Sequence, residues 1–459
     1  GLAMAVVPLL NARTPQGAIA WSLFLVMFPL LGLPLYFVFG ERKFVGYVRA
    51  RRAGRQPLQG LAQSVAARHL PALKADFAGQ EKDLSVFEGL AAMPFTSGNR
   101  GRLLIDGEAT FEAIFAGIEA AQEYLLVQFY IVHDDEIGRE LQARLIARAR
   151  SGVRIHFMYD AIGCFDLPEA WLTRLREAGI AVQAFHGRTR RHPHRYQLNF
   201  RNHRKIVVAD GLIAWVGGHN VGDEYLGRDP KLSPWRDTHV EIRGPAVLGI
   251  QLAFLEDWNA MTGEIPQLAW EVAPQPENQR VLVLPSGPAD ALETCGLMFA
   301  EIIHMARKRL WIVSPYFVPD DTIVSALQLA ALRGVDVRLM IPEKADHRLV
   351  HMAGFAYLEE TLPVGIRIFR YQNGFLHQKV FLMDDTLAGV GTANLDNRSF
   401  RLNFEIFLLF ADRDFVRDTQ FMLEADFRQC RELHMHEVER LPRIFHLGAR
   451  VARLFAPVL

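Results

Sequence analysis

Lysine is scarce in this chain, with 8 residues against 43 arginines in 459. Net charge is absent too: 51 basic side chains balance 51 acidic ones, so no global positive field speaks for a nucleic-acid partner. Cysteine is limited to Cys164, Cys295 and Cys430. An odd number without CxxC or Cys/His zinc spacing reads as reduced thiols in a cytosolic compartment rather than a disulfide framework. Histidine pairs do occur, at His192-Pro193-His194 and His434-Met435-His436, but no carboxylate-rich cluster accompanies either one. No metal and no cofactor are therefore expected.

The most local absence is of charge. No charged side chain occurs from Thr14 to Gly40. Its core, Gly17 to Gly40, is 24 residues long. As one helix it would run about 36 Å, enough to cross a hydrocarbon layer of about 30 Å. Trp21 and Tyr36 stand near its ends, where interfacial aromatics belong, while Pro29 and Pro34 invite a kink or a re-entrant path. A cleaved signal peptide fits poorly, since no basic segment immediately precedes the stretch and no A-x-A site follows. Arg42, Lys43, Arg49, Arg51, Arg52 and Arg55 follow it, against Arg13 alone before it. That asymmetry predicts a cytoplasmic location for everything beyond the span, with the basic run on anionic headgroups. Gly1 to Leu10 is also apolar and begins without Met, and is expected to be the remnant of an earlier span. The expected units are thus residues 1–12, the apolar remnant; 13–56, a transmembrane helix with its basic juxtamembrane segment; and 57–100, a connector.

Beyond residue 100 the chain alternates strands and helices: a strand and turn at Leu103 to Gly107, a helix from Phe111, a buried strand at Leu125 to Val132, a helix from Ile137 and a strand at Val153 to Tyr159. The same order returns later, with Leu310 to Val318 and its following Asp320-Asp321 echoing Leu125 to Val132 and Asp134-Asp135. Two divergent copies of one α/β unit are predicted, residues 101–270 and 271–459, with the break in the proline-rich stretch near Pro266 to Pro288. The second ends in a tail, Arg443 to Leu459, patterned as a basic amphipathic helix that would lie on a membrane or on the protein's own core.

Scarce lysine makes one repeated pattern stand out. His203-x-Lys205-x4-Asp210 and His377-x-Lys379-x4-Asp384 use two of the 8 lysines. From composition, one such triplet should arise by chance in roughly one chain in a hundred, and two far less often. Each triplet opens a strand-like run, so His and Lys share a face and point at one object. An imidazole beside an ammonium suits a phosphodiester: one attacks or protonates, the other neutralises non-bridging oxygens. Asp210 and Asp384 have the opposite parity and fall in turns, which gives them a structural part in the triplet. Seventeen residues past each histidine stands an asparagine, Asn220 and Asn394, each a candidate amide donor to a phosphate oxygen. Aligning the copies further sets Asp237 opposite Glu405, and a carboxylate on each imidazole would fix its tautomer. Ahead of the first triplet, His186 to Arg204 holds Arg188, Arg190, Arg191, Arg195 and Arg201. This is a solvated loop or an anionic headgroup site; in the second reading Arg195 and Arg201, with Arg398, bind substrate.

Paired HxKxxxxD motifs followed by Gly-x-x-Asn resemble the phospholipase D superfamily. FGERK (39–43), YIVHDDEIG (130–138), NFRNHRKIVVADG (199–211), WRDTHV (235–240), SPYFVPDD (314–321), LHQKVFLMDD (376–385) and GTANLDNRSFRLNFEI (391–406) narrow the resemblance to the bacterial cardiolipin synthases. It extends over nearly the whole chain from about Thr14. One departure is GGHN in the first copy, where GS-type turns are common in the family, so any donor at Gly218 would be backbone. The resemblance implies two phospholipase D-like α/β domains about a pseudo-twofold axis, preceded by an N-terminal transmembrane helix, with both triplets in one site. It implies that one phosphatidylglycerol gives its phosphatidyl group to a histidine and releases glycerol, and that a second attacks this intermediate to form cardiolipin. His203 is taken as nucleophile and His377 as acid and base, although the near symmetry of the copies does not separate the two. The partners implied are phosphatidylglycerol, cardiolipin and an anionic membrane surface, not nucleic acid, with a homo-oligomer left open. The implied location is the bacterial inner (cell) membrane with the catalytic domains on the cytoplasmic side. Hydrolysis by the same triplets stays open. A superfamily nuclease is disfavoured by the apolar stretch and the zero net charge, and a non-catalytic scaffold by the intact triplets.

Overall fold

The computed structural model describes residues 4–11, 15–36, 40, 47, 58, 60–65, 67–69, 73–77, 84–185 and 199–459. Arg13 and the basic run from Arg42 to Arg55 lie outside the described residues, as do Arg188, Arg190, Arg191, Arg195 and the His192/His194 pair.

The apolar N-terminal stretch is not one helix. It forms helices Val6–Asn11, Pro15–Met27 and Pro29–Leu35. None of the described helices is long and apolar enough to cross a membrane, where one continuous helix was expected. The cause is local. A residue before proline is pushed out of the helical region, and proline contributes no N–H to the ladder. Phe28 accordingly sits at φ −133°, ψ 61° immediately before Pro29. The chain folds back there, so the Trp21 and Tyr36 rings, expected at opposite ends, lie 5.3 Å apart edge to face. Leu10, Leu30 and Leu31 of these helices remain exposed.

The rest of the described chain is built on one 16-stranded sheet. At its centre Thr96–Ile105 pairs antiparallel with Gln279–Ser286, and the two α/β units spread outward from that seam in the same order. In the first unit three parallel strands, Tyr124–Phe129, Arg154–Asp160 and Ala181–Phe185, form the outer part. In the second, Arg309–Val313, Asp336–Pro342 and Arg367–Tyr371 do the same. Strands deep in the sheet are buried whatever side chain they carry: every residue of Tyr124–Phe129 and Asn403–Phe410 is buried, Gln128, Asn403 and Glu405 included.

The predicted strand Leu310 to Val318 is divided. Pairing stops at Val313 and resumes over Phe317–Val318, because Pro315 has no N–H for the ladder. His203 and Lys205 likewise lie outside the regular strand, which begins at Ile206. The tail helix, Arg443–Arg453, docks on the helix Arg348–Thr361. Ala449 and Ala452 are buried, and the Arg453–Glu360 and His446–Glu359 pairs clamp it. Its other face keeps Ile444, Leu447 and Leu454 exposed.

Candidate active site

Each histidine is placed by the opposite half of the sheet. Arg201–Asn202 leaves its own unit and pairs in parallel with Asn403–Phe410, and the His203 N–H then donates to the Phe404 carbonyl at 2.9 Å. Symmetrically, Phe375–Leu376 pairs with Trp235–Arg236, and the His377 N–H donates to the Arg236 carbonyl at 2.8 Å. This exchange of backbone sets each imidazole beside the other unit's carboxylate. His203 Nδ1 lies 2.9 Å from Glu405 Oε2, and His377 Nδ1 lies 2.7 Å from Asp237 Oδ2. A carboxylate on Nδ1 holds the proton there and leaves Nε2 free to attack or to exchange a proton.

Both histidines are only 7 % exposed. Burial dominates their proton affinity and lowers each to about 4, against the opposing pull of Glu405 on His203 and of Asp237 on His377. Both rings are therefore neutral near pH 7. Lys205 and Lys379 are buried as well. Desolvation lowers Lys205 well below the ordinary ammonium range and Lys379 to about 8. Lys379 acts electrostatically on His203 and Lys205 on His377, so the triplets converge on one site. Each lysine folds back to its own histidine's carbonyl, Lys205 Nζ at 2.6 Å and Lys379 on His377.

Glu405 and Asp237 are held differently. Glu405 accepts from Thr392 Oγ1 at 2.6 Å and Asn403 Nδ2 at 3.1 Å; despite burial, its neighbours His203 and Lys205 hold its carboxyl at about 2. Asp237 accepts from the Thr238 N–H at 2.8 Å, and despite burial its neighbours His219, His377 and Lys379 hold its carboxyl well below the usual carboxylate range. The first copy has Gly218 where the second has Thr392. A β-carbon at Gly218 would sit 2.0 Å from Asp237 Oδ1, so the departure from the family's turn leaves room for that carboxylate.

Asp210 and Asp384 are not brought to the imidazoles. Each occupies a left-handed turn, at φ 54° and φ 49°, a conformation that aspartate tolerates better than most residues. Asp210 accepts the backbone N–H groups of Gln122, Glu123 and Tyr124, and Asp384 those of Arg307, Lys308 and Arg309. Each staples the start of a neighbouring strand, the structural part that its turn position suggested. Asn220 accepts the Ile131 N–H at 3.1 Å and gives one amide hydrogen to the Tyr225 hydroxyl; Asn394 is buried with no hydrogen bond to its Oδ1 among the described residues. Arg398 binds the Asn199 carbonyl at 2.8 Å. It and Arg201 both act on the Tyr130 phenol, whereas Arg195 falls outside the described residues. Among those residues no group of three or more metal-ligating side chains comes together.

Several neighbours escaped the sequence reading. The Tyr130 ring lies 4.9 Å from that of His203, and Lys205 Nζ is 5.3 Å from its centroid. Trp235 lies 5.0 Å from His377. Behind the site, Arg204 pairs with Asp257 at 3.0 Å and Arg236 with Asp426 at 2.7 Å, all four buried. Tyr130 and Tyr316 hold matching places in the repeated segments, and that match was the available signal for Tyr130.

Two α/β units that share a sheet and lend each other the carboxylate of a His-x-Lys pair define a phospholipase D-like protein. The family model described as the cardiolipin synthase, phospholipase D-like domain matches residues 114–231 and 299–428, and a phospholipase D-nuclease N-terminal model matches residues 2–41. The cardiolipin synthase A of Pseudomonas fluorescens is 48 % identical over 461 aligned residues, covering 100 % of this chain and 96 % of that protein. That of Pseudomonas entomophila is also 48 % identical, with the same coverage. Among solved structures, the phosphatidylserine synthase of Haemophilus influenzae superposes with a TM-score of 0.60 at 16 % identity, over 83 % of this chain and 100 % of that one, and shares the fold. The chain belongs to the cardiolipin synthases, phosphatidyltransferases of the phospholipase D superfamily.

Proposed function

We propose that the chain makes cardiolipin by moving a phosphatidyl group from one phosphatidylglycerol to another through a phosphohistidine. The observation that carries the mechanism is the pair of buried imidazoles, each with the other unit's carboxylate on Nδ1, beside two buried lysines. In the first step His203 Nε2 attacks phosphorus, the bond to the glycerol leaving group breaks, and His377 supplies that oxygen's proton. In the second, the headgroup hydroxyl of another phosphatidylglycerol gives its proton to His377, forms the new O–P bond and expels His203. Lys205 and Lys379 stabilise charge on the non-bridging oxygens. An entering phosphodiester anion raises the proton affinity of the acid, which burial alone keeps low. Arg201 and Arg398, beside Tyr130 on the His203 side, favour that histidine as the site of the first anion.

The exposed apolar side chains of the N-terminal helices and of Arg443–Arg453 support seating on a lipid surface. The arginine excess after residue 40 supports a cytoplasmic position for residues 101–270 and 271–459. The deciding experiment is mass spectrometry of products from phosphatidylglycerol vesicles. Cardiolipin with stoichiometric glycerol is expected, and His203→Ala or His377→Ala should abolish it. Phosphatidic acid alone would make the chain a hydrolase, and full activity in either variant would sink the two-histidine mechanism.

A further inference from the structure

The tail helix Arg443–Arg453 has two different sides. One is spent on the protein: Ala449 and Ala452 are buried, Phe445 meets the Phe355 ring edge to face at 5.0 Å, and Arg453 pairs with Glu360. On the other, Ile444, Leu447, Val451 and Leu454 follow one another at three- and four-residue steps, which lines them up in one stripe. All four are exposed, Ile444 at 75 % and Leu454 at 77 %. Arg443 and Arg450, two turns apart, are exposed along one edge of the stripe. No acidic residue stands between Glu439 and Leu459. An apolar stripe edged by arginine matches the boundary between acyl chains and anionic headgroups, where the apolar side chains leave water and the guanidinium groups meet phosphate.

The tail is also tied to the site. The main-chain oxygen of Leu459 accepts the Arg398 N–H at 2.9 Å, and that of Val458 accepts from the Arg398 guanidinium at 3.1 Å. The same guanidinium donates to the Asn199 carbonyl at 2.8 Å. Asn199 opens the segment that runs through Arg201 and Asn202 to His203. Arg398 therefore joins three pieces of chain: the tail, the short helix Asn397–Arg401 and the approach to the first histidine.

A second exposed side chain reaches the same wall. Phe165, 83 % exposed, stands in the loop after the strand Arg154–Asp160. That loop is pressed onto Tyr130: Cys164 Sγ donates to the Tyr130 carbonyl at 3.4 Å, and a β-carbon at Gly163 would sit 2.1 Å from the same oxygen. Asp160, at the end of the strand, accepts the Asn202 N–H at 2.8 Å. Both exposed apolar features are thus linked to His203, one through Asn199 and the other through Tyr130 and Asn202.

We propose that the tail helix and Phe165 are contacts with an anionic phospholipid surface, and that Arg398 carries the tail's contact to the His203 wall. This rests on the transferase reading, whose substrate is both apolar and anionic and so supplies the surface. Seating the stripe in lipid adds to the Glu359 and Glu360 pairs that hold the tail. Through the tail it holds Arg398 and Asn199. Turnover then depends on the surface as well as on the amount of substrate bound.

The test uses the whole chain and substitutions at exposed positions. Leu447→Trp reads contact: vesicles of phosphatidylglycerol and brominated phosphatidylcholine should quench the added indole beyond the quenching of the parent's 7 tryptophans. No added quenching would overturn the tail contact. Cardiolipin formation is then measured on phosphatidylglycerol vesicles and on short-chain phosphatidylglycerol kept below the concentration at which it forms micelles. Leu447→Glu combined with Leu454→Glu should lower kcat on vesicles about tenfold, within the range of coupling between two sites, and keep the parent's rate on the monomeric substrate. Phe165→Glu should lower the vesicle rate less. A rise in KM for vesicles with kcat unchanged would overturn the link through Arg398. Equal losses on both substrates would mark the stripe as part of the fold and overturn the proposal. A parent that makes phosphatidic acid alone would overturn the transferase reading, while quenching and the vesicle-to-monomer ratio of that product would still decide the surface.

Discussion

In the first half of the sheet the buried carboxylate of Asp257 takes its cation from Arg204, which stands inside the His203-x-Lys205 motif. In the second half the corresponding helix, Arg413–Phe427, carries Asp426, while the matching place in the motif is Gln378. There the cation is Arg236, from the strand of the other half directly before Asp237. Gln378 bonds Asp426 at 2.8 Å and so keeps contact with the carboxylate without balancing its charge. The two copies have thus moved an arginine from one side of the pseudo-twofold to the other while leaving each helix carboxylate paired. Charge balance behind the histidines is the property held constant, and which strand supplies it is free.

The sharpest way to break this comparison is at the crossed carboxylates. Glu405→Gln and Asp237→Asn should each lower turnover by on the order of 10³–10⁴, the scale on which a histidine loses its orienting charge. The crossing predicts which pairs interact. In urea unfolding, Glu405→Gln should be coupled to His203→Ala and additive with His377→Ala, and a double-mutant cycle on stability reads that directly.

A smaller effect tests the divergent turn. Gly218→Ala puts a carbon into the Asp237 carboxylate and should cost roughly a hundredfold in kcat by displacing it from His377. Thr392→Val, at the matching place, removes one hydrogen bond from Glu405 and should cost about tenfold. Equal losses would mean that the carboxylates are not held in different ways.

Arg204→Gln imitates the second copy without its compensating arginine. It leaves Asp257 buried and uncompensated, so unfolding in urea should show a loss of about 3 kcal/mol. Adding a cation on the other side of the pseudo-twofold would be needed to restore it.

The lysines give the mildest contrast. Burial lowers Lys379 to about 8, so its ammonium loses the proton as pH rises through that value. The charged fraction falls roughly tenfold between about pH 7 and about pH 9, and kcat should decline on the alkaline side accordingly. The same burial lowers Lys205 well below the ordinary ammonium range, so its loss of charge should add to that alkaline decline. A flat profile up to about pH 10 would show that bound phosphate holds the proton on both lysines.

Much of the site was legible because the triplets are short, rare and repeated, and because strand-and-helix alternation survives divergence. Asp210 and Asp384 were readable as turn residues from parity alone. The pairing of His203 with Glu405 and of His377 with Asp237 was not, since parity says which face a residue takes but not which strand crosses between units. The apolar N-terminal stretch misled for a related reason. Hydropathy counts residues along a helix, whereas the conformation of the single residue Phe28 before Pro29 decides whether the count is continuous. Apolar continuity likewise hid the break at Pro315 that brings Tyr316 to Asp346.

Translation turns the exchange of strands into a question of timing. The ribosome completes the first half with His203, Lys205 and Asp237 in place, but Glu405 and the strand whose Phe404 carbonyl positions His203 do not yet exist. His377, made later, finds its carboxylate already waiting. A chain that ends before Glu405 therefore holds His203 with nothing on Nδ1, and the half made first is the last to have its histidine oriented, when the strand Asn403–Phe410 arrives.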